Sequence, residues 1–330
     1  MAGREEELRF TAGDVTLAGT LTLPDSSATQ AADRRGRPPG VLLLPSWYPR
    51  DRDGDLDRRG HPRWFDSRRT ERGLLARVAE ALARQGVASL RYDKRGCRAS
   101  AGAWEAADWF TLVDDARDAI GFIRSRRELD LARTGIVGHG EGAAIALSVA
   151  IGDPAVGALT LVGAAARSFR DVFRRQVAVR RHRPLRDPLI AALDRWSEDI
   201  VERADRREES FELSVRTADG GVTVERVPLS LVGWHEAFHT PPLALATMLH
   251  RSVTLVHGES DSWVPVAEVR ILERTLRDAG NEPSLRVIPT ADHDLREAAD
   301  AVIDDLAADM AARLVPRALP PVLLAIDEDR

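Results

Sequence analysis

Residues 133–151, RTGIVGHGEGAAIALSVAI, decide the fold. Ile136 and Val137 carry a short apolar run, Gly138, Gly140 and Gly142 interrupt it, and an Ala-rich stretch follows, which reads as a buried strand, a pinched turn and a helix. In such a frame the flanking glycines permit a very tight turn, and the central residue is presented at the top of a sheet. Here the central residue is Gly140, which has no side chain to present. The frame is legible; the group it would display is missing.

The same rhythm extends outward on both sides. Val41 to Leu44 is an unbroken apolar run ending at Pro45, the pattern of a strand buried on both faces. Val87 to Tyr92 and Ala155 to Val162 repeat it, and helical periodicity covers Arg68 to Gln85 and Asp108 to Arg127. Leu8 to Thr11 and Val15 to Leu23 alternate apolar and polar residues around Ala12-Gly13-Asp14, as an antiparallel hairpin does. Asp25 to Pro39 reads as a polar loop, and the charged loop from Pro45 to Asp66 is long enough to belong to a site. After residue 250 the alternation resumes with Ser252 to His257, a helix near Val266 to Ala279, Ser284 to Ile288 and a last helix from about Leu295 to Leu314. Strands alternating with helices predict an α/β fold: a mostly parallel central sheet with helices on both faces.

Between these two series the rhythm breaks. Ser168 to Arg183 is strongly basic and reads as a solvated helix face, with an anionic-ligand or partner surface as the alternative, Leu189 to Arg207 as a helix, and Phe211 to Val227 as a hairpin turning at Asp219-Gly220-Gly221. The expected organisation is a core in two parts, 1–164 and 251–315, an inserted cap or lid over 165–250, and a tail over 316–330. The tail begins Pro-rich and carries one apolar patch, a surface that would dock on the domain or on a second subunit in a homodimer.

Composition removes whole classes of function. The chain has 330 residues, 44% of them apolar, and a net charge of -5 from interleaved signs, so nothing draws it to nucleic acid or an anionic membrane. No run approaches the roughly 18 apolar residues of a membrane span and the N-terminus lacks a signal-peptide pattern, so a cytoplasmic location is expected. The single cysteine, Cys97, excludes an internal disulfide. Only Lys94 is a lysine among 47 Lys and Arg residues.

Taken together, LAGTLTLP near the N-terminus, YPRDRDGD after the third strand, LRYDKRG after the fourth, the GHGEG turn, HGESDSWVP after the late strand and ADHDL near the end make the chain resemble the α/β-hydrolases, close to bacterial esterases with a GHSEG nucleophile elbow. The resemblance covers nearly the whole chain. It implies that Asp261 is the acid and His293 the base of a triad, in the family's chain order, with Gly140 at the nucleophile position. It also implies an anion hole made by the backbone N–H of Glu141 and by the loop at Ser46 and Trp47. The chain departs from the family at Gly140, where serine is usual, and at Pro45-Ser46-Trp47 and Arg98 after Cys97, where glycines are usual. Three altered neighbourhoods point to natural divergence rather than to a single engineered substitution.

Removing the serine from such a triad costs roughly a million-fold in turnover, which argues against ordinary ester hydrolysis. What remains is a His293–Asp261 general-base dyad beside a small vacancy at Gly140 able to hold a water or a substrate atom. That equipment suits a lyase, cyclase or isomerase acting on a small carbonyl compound without a cofactor. The alternatives are a catalytically dead hydrolase that binds a ligand, and an esterase or thioesterase disabled by design. Two substitute nucleophiles are disfavoured: Cys97 has no evident activator, and Ser46 follows Pro45 in the anion-hole loop. His235-Glu236-Ala237-Phe238-His239 matches HExxH, with Glu259 as a third ligand, but Pro241 and Pro242 cut short any helix. No metal is therefore expected, and Trp234, His235, Phe238 and His239 read as cap residues that shape a substrate or simply pack the cap.

Overall fold

The computed structural model describes residues 3–25, 36–47, 49–57, 73–181, 201–208, 211–216, 222–227, 231–296 and 298–314. The predicted tail, the middle of the polar loop at 26–35, part of the charged loop, the start of the first helix at 68–72, the stretch 189–200 and the hairpin turn at 219–221 lie outside them.

Ten strands are described. Eight form one sheet: β1 (Gly3–Ala12), β2 (Val15–Pro24), β3 (Pro39–Leu44), β4 (Ala88–Tyr92), β5 (Asp130–His139), β6 (Val156–Val162), β9 (Ser252–Gly258) and β10 (Ser284–Ile288), in the order β1-β2-β4-β3-β5-β6-β9-β10. The β1–β2 and β2–β4 pairs are antiparallel, and every pair beyond them is parallel. The predicted hairpin, buried strands and mostly parallel sheet are all present.

Alternation along the central strands sorts the core into two halves. Leu42 and Leu44 of β3 face a cluster shared with α2 (Trp109–Ser125), α3 (Glu141–Gly152) and α7 (Val266–Asp278). Val41 and Leu43 face the opposite cluster, shared with α1 (Leu74–Arg84) and α8 (Asp300–Leu314). With both faces covered, these strands need no polar face, which is why they read as unbroken apolar runs. Helix α2 starts where the sequence suggested: the Asp108 carboxylate accepts the N–H of Thr111 at 2.7 Å. The last helix begins later than expected, because Leu295 sits at φ 50°, a left-handed conformation that a helix cannot contain.

The segment between β6 and β9 adds α4 (Phe169–Arg181), a helical turn over 201–205, a separate antiparallel pair β7 (Phe211–Arg216) and β8 (Val222–Val227), α5 (Leu231–His239) and α6 (Pro242–Thr247). The predicted hairpin is there. So is the helix carrying HExxH: it ends at His239, so the prolines follow both histidines instead of preventing the helix. Among the described residues, no helix is long and apolar enough to cross a membrane.

Candidate active site

The site grows from the turn between β5 and α3. Gly140 has φ 55° and ψ -112°, a conformation that L side chains rarely adopt, and its N–H donates to the Val162 carbonyl at 2.9 Å, tying the turn to β6. A Cβ on Gly142 would lie 2.4 Å from the Leu44 carbonyl, so only a glycine lets α3 start this close to β3. The pinched strand, turn and helix are as the sequence predicts.

The expected vacancy at Gly140 is not there. In the parallel β3–β5 register Leu44 lies opposite Gly138, and two residues further on Ser46 faces Gly140. A Cβ built on Gly140 would meet Ser46 Oγ at 2.1 Å and His293 Nε2 at 3.0 Å. A serine hydroxyl from the neighbouring strand end thus occupies the space above the turn. It can do so only because residue 140 has no side chain.

His293 and Asp261 come together as expected. His293 Nδ1 lies 2.7 Å from Asp261 Oδ2, and its Nε2 lies 3.2 Å from Ser46 Oγ. With the Nδ1–H donated to the carboxylate, Nε2 is left as the acceptor of the Ser46 hydroxyl proton. All three residues are buried. The other Asp261 oxygen, Oδ1, accepts the N–H groups of Trp263 and Val264, each at 2.8 Å, which fixes the carboxylate plane toward the imidazole. Burial opposes a charge on His293, but the charge and hydrogen bond of Asp261 outweigh it and hold its pKa above the usual histidine value. Burial likewise raises Asp261, and the interaction with His293 more than reverses this, so the carboxylate pKa lies below its usual value.

Sequence reasoning passed over the groups that hold this arrangement. His139, inside the turn motif itself, donates its Nε2–H to the His293 carbonyl at 2.9 Å. Burial, with the neighbouring His293, pushes its pKa down to about 3, so it stays neutral. His257 Nε2 makes the corresponding bond to the Val264 carbonyl at 2.8 Å, on the loop that carries Asp261. Lys94 reaches into the core, where Nζ bonds Glu141 Oε2 at 2.5 Å and the Ser46 carbonyl at 3.2 Å. The one lysine of the chain thus joins the first residue of α3 to the loop that carries the serine. Its singularity and its place just after β4 were the available signals.

The Glu141 N–H opens α3 and so has no acceptor within the helix. Trp47, next to Ser46, packs its ring against Phe169 of α4 at 3.9 Å and Trp234 of α5 at 5.5 Å between centroids. Phe238 joins the group through Phe169 at 5.5 Å. Of the four cap residues expected to shape a substrate, Trp234 and Phe238 therefore lie beside the serine loop. His235 and His239 do not join this group: their rings pair with each other at 4.6 Å, and His239 Nε2 lies 3.1 Å from Asp205. Cys97 is buried, and burial pushes its thiol pKa up to about 12, which removes it as a nucleophile. Arg98 keeps a glycine-like conformation at φ 44°, held by an N–H to Asp57.

The sequence model of the Hydrolase_4 family, described as serine aminopeptidase, S33, matches residues 69–211. That span is less than half of the chain; it contains Gly140 and leaves out Ser46, Asp261 and His293. Among solved structures the chain is similar to Est1E from Butyrivibrio proteoclasticus with bound ferulic acid, at 15% identity and a TM-score of 0.62, covering 93% of this chain and 99% of that one. It is similar to GrgF, an α/β-hydrolase from Penicillium sp. sh18, at 18% identity and a TM-score of 0.61 over 94% and 99% of the two chains. An esterase from Pyrococcus furiosus matches at 15% identity with a TM-score of 0.60, over 96% of this chain and 92% of the other. At such identities the likeness is one of fold. No curated protein matches the sequence.

Proposed function

We propose that the chain, which has an α/β-hydrolase fold, hydrolyses an ester or related acyl bond of a small molecule with Ser46 as nucleophile, His293 as base and Asp261 as the orienting acid. The observation that carries this reading is the Ser46 hydroxyl, 3.2 Å from His293 Nε2 in the space that Gly140 leaves open. Such a distance is ordinary for a resting nucleophile and its base. Ser46 Oγ attacks the acyl carbon while Nε2 takes its proton, and Asp261 stabilises the imidazolium that forms. The oxyanion is received by the Glu141 N–H and the Ser46–Trp47 loop, aided by the positive end of α3. His293 then returns the proton to the leaving group, and a water repeats the sequence on the acyl-serine. Residues 165–250 act as the cap, with Trp234 and Phe238 at the acyl pocket.

The base-dyad chemistry expected from the sequence uses the same His293 and Asp261 but deprotonates the substrate directly. The two readings separate on covalent capture. A fluorophosphonate probe, which phosphonylates activated serines, is expected to add once to the protein, on the peptide containing Ser46 by mass spectrometry. An unlabelled Ser46 at saturating probe would sink the serine route and favour the dyad.

His293 must be neutral to accept a proton, and its pKa is raised. Activity should therefore climb with pH through a midpoint above the ordinary histidine value of about 6.5. In Asp261→Asn the main raising influence is gone while burial remains, so the midpoint should move down as turnover falls. A pH–kcat/KM profile of both proteins checks this; an unshifted midpoint would show that another group titrates.

A further inference from the structure

The HExxH histidines have a use that the acyl chemistry does not absorb. His235 and His239 lie one turn apart on α5, and Asp205, on the helical turn over 201–205, meets them from the side. One potential ligand atom from each of the three residues falls within 4.8 Å of the others, and His239 Nε2 is 3.1 Å from Asp205 Oδ1. Two ligands of one tetrahedral zinc ion stand about 3.3 Å apart, given metal–ligand bonds of about 2.0 Å. His235 adds a second indication: its Nδ1 is buried without a hydrogen-bond partner among the described residues. We propose that His235, His239 and Asp205 form a binding site for a divalent transition metal, zinc by preference, that clips α5 to the preceding helical turn.

Two imidazoles and one carboxylate favour zinc or a neighbouring late first-row ion over magnesium or calcium, which take all-oxygen sites. The third ligand is Asp205 and not the Glu259 that sequence spacing offered; Glu259 sits at the end of β9, where its N–H donates to the Ile288 carbonyl. Glu236, the middle acid of the motif, is bonded to Arg207 at 2.9 Å. That bond uses one carboxylate oxygen, while Oε2 is buried without a hydrogen-bond partner among the described residues; the proposed role of the site is a structural clip. Arg170, 3.4 Å from the second Asp205 oxygen, orients the carboxylate and limits its charge toward the metal. The neighbouring positions of α5 carry Trp234 and Phe238, which pack with Trp47 and Phe169, so a metal on this helix would steady the aromatic group beside the serine loop.

The test is titration of the chelator-treated full chain with Zn2+ against a chromophoric competitor, repeated with Co2+ to read its visible absorption. One equivalent of Zn2+ should bind at micromolar or lower concentration, and Co2+ should give the intense visible bands of low coordination number. His239→Ala and Asp205→Asn, at exposed positions that leave folding intact, should each weaken binding at least about tenfold, and His235→Ala/His239→Ala should abolish it together with any zinc-dependent rise in melting temperature. Absence of stoichiometric binding, or binding unchanged in the double variant, would overturn the proposal. Neither readout depends on Ser46 or on turnover.

Discussion

Ser46→Ala is expected to lower hydrolysis of an activated ester by roughly a million-fold, about 8 kcal/mol of transition-state stabilisation, with the fold intact. On the proposed route the loss is this large because the serine would act as a unit with His293 and Asp261: without the hydroxyl, the other two have nothing to activate. The variant should keep roughly a thousand-fold advantage over water from the anion hole and binding. Stability should change by no more than about 1 kcal/mol, since one hydroxyl and one hydrogen bond leave together. Steady-state kinetics should show kcat and kcat/KM falling in parallel. Turnover within a few-fold of the parent would mean that His293 works on the substrate directly.

The second large effect comes from a residue with no side chain. Gly140→Ala places a methyl group 2.1 Å from Ser46 Oγ, far inside contact distance, so the hydroxyl must leave His293. Turnover should fall toward the level of Ser46→Ala. The new side chain also carries a backbone strain of roughly 1–3 kcal/mol at φ 55°. Gly140→Ser alone is expected to fail for the same steric reason, since the Cβ of Ser46 itself would lie 2.9 Å from the added Cβ. Replacing Ser46 by glycine opens that space. The exchange Ser46→Gly with Gly140→Ser should therefore recover activity that neither single change has, delivering the hydroxyl from the turn in place of the strand end. An inactive double variant beside an active Gly140→Ser would refute this account of the packing.

The sequence carried the frame of this protein further than its chemistry. Central strands buried on both faces announce themselves as apolar runs, and a glycine turn between such a strand and an Ala-rich helix has few other readings. Asp261 and His293 are legible through the resemblance carried by HGESDSWVP and ADHDL, and the structure brings them within 2.7 Å. The closeness of Ser46 to Gly140 is hidden in the sequence because position along the chain is the wrong measure: the two are 94 residues apart in sequence and opposite each other in space. Only strand order and register, with Leu44 beside Gly138, reveal that the end of β3 overhangs the turn. The same blindness hid Asp205, which joins the two α5 histidines from a different helical segment. His139 and His257 were invisible for another reason: each acts by holding a backbone carbonyl, a role that no residue pattern encodes.

The crowding between Ser46 and Gly140 also bears on ancestry. A lineage passing from a turn-borne serine to this arrangement, one substitution at a time, must cross either a form with two serines in one space or a form with none. On the proposed Ser46 route both intermediates should be impaired, which would make each arrangement a local optimum guarded by its neighbours. With a nucleophilic hydroxyl just beyond β3, as proposed, selection for activity would hold residue 140 at glycine as firmly as it holds the serine. Descendants with the usual turn would then be reached through loss of function, or through a substrate tolerant of the half-exchanged site.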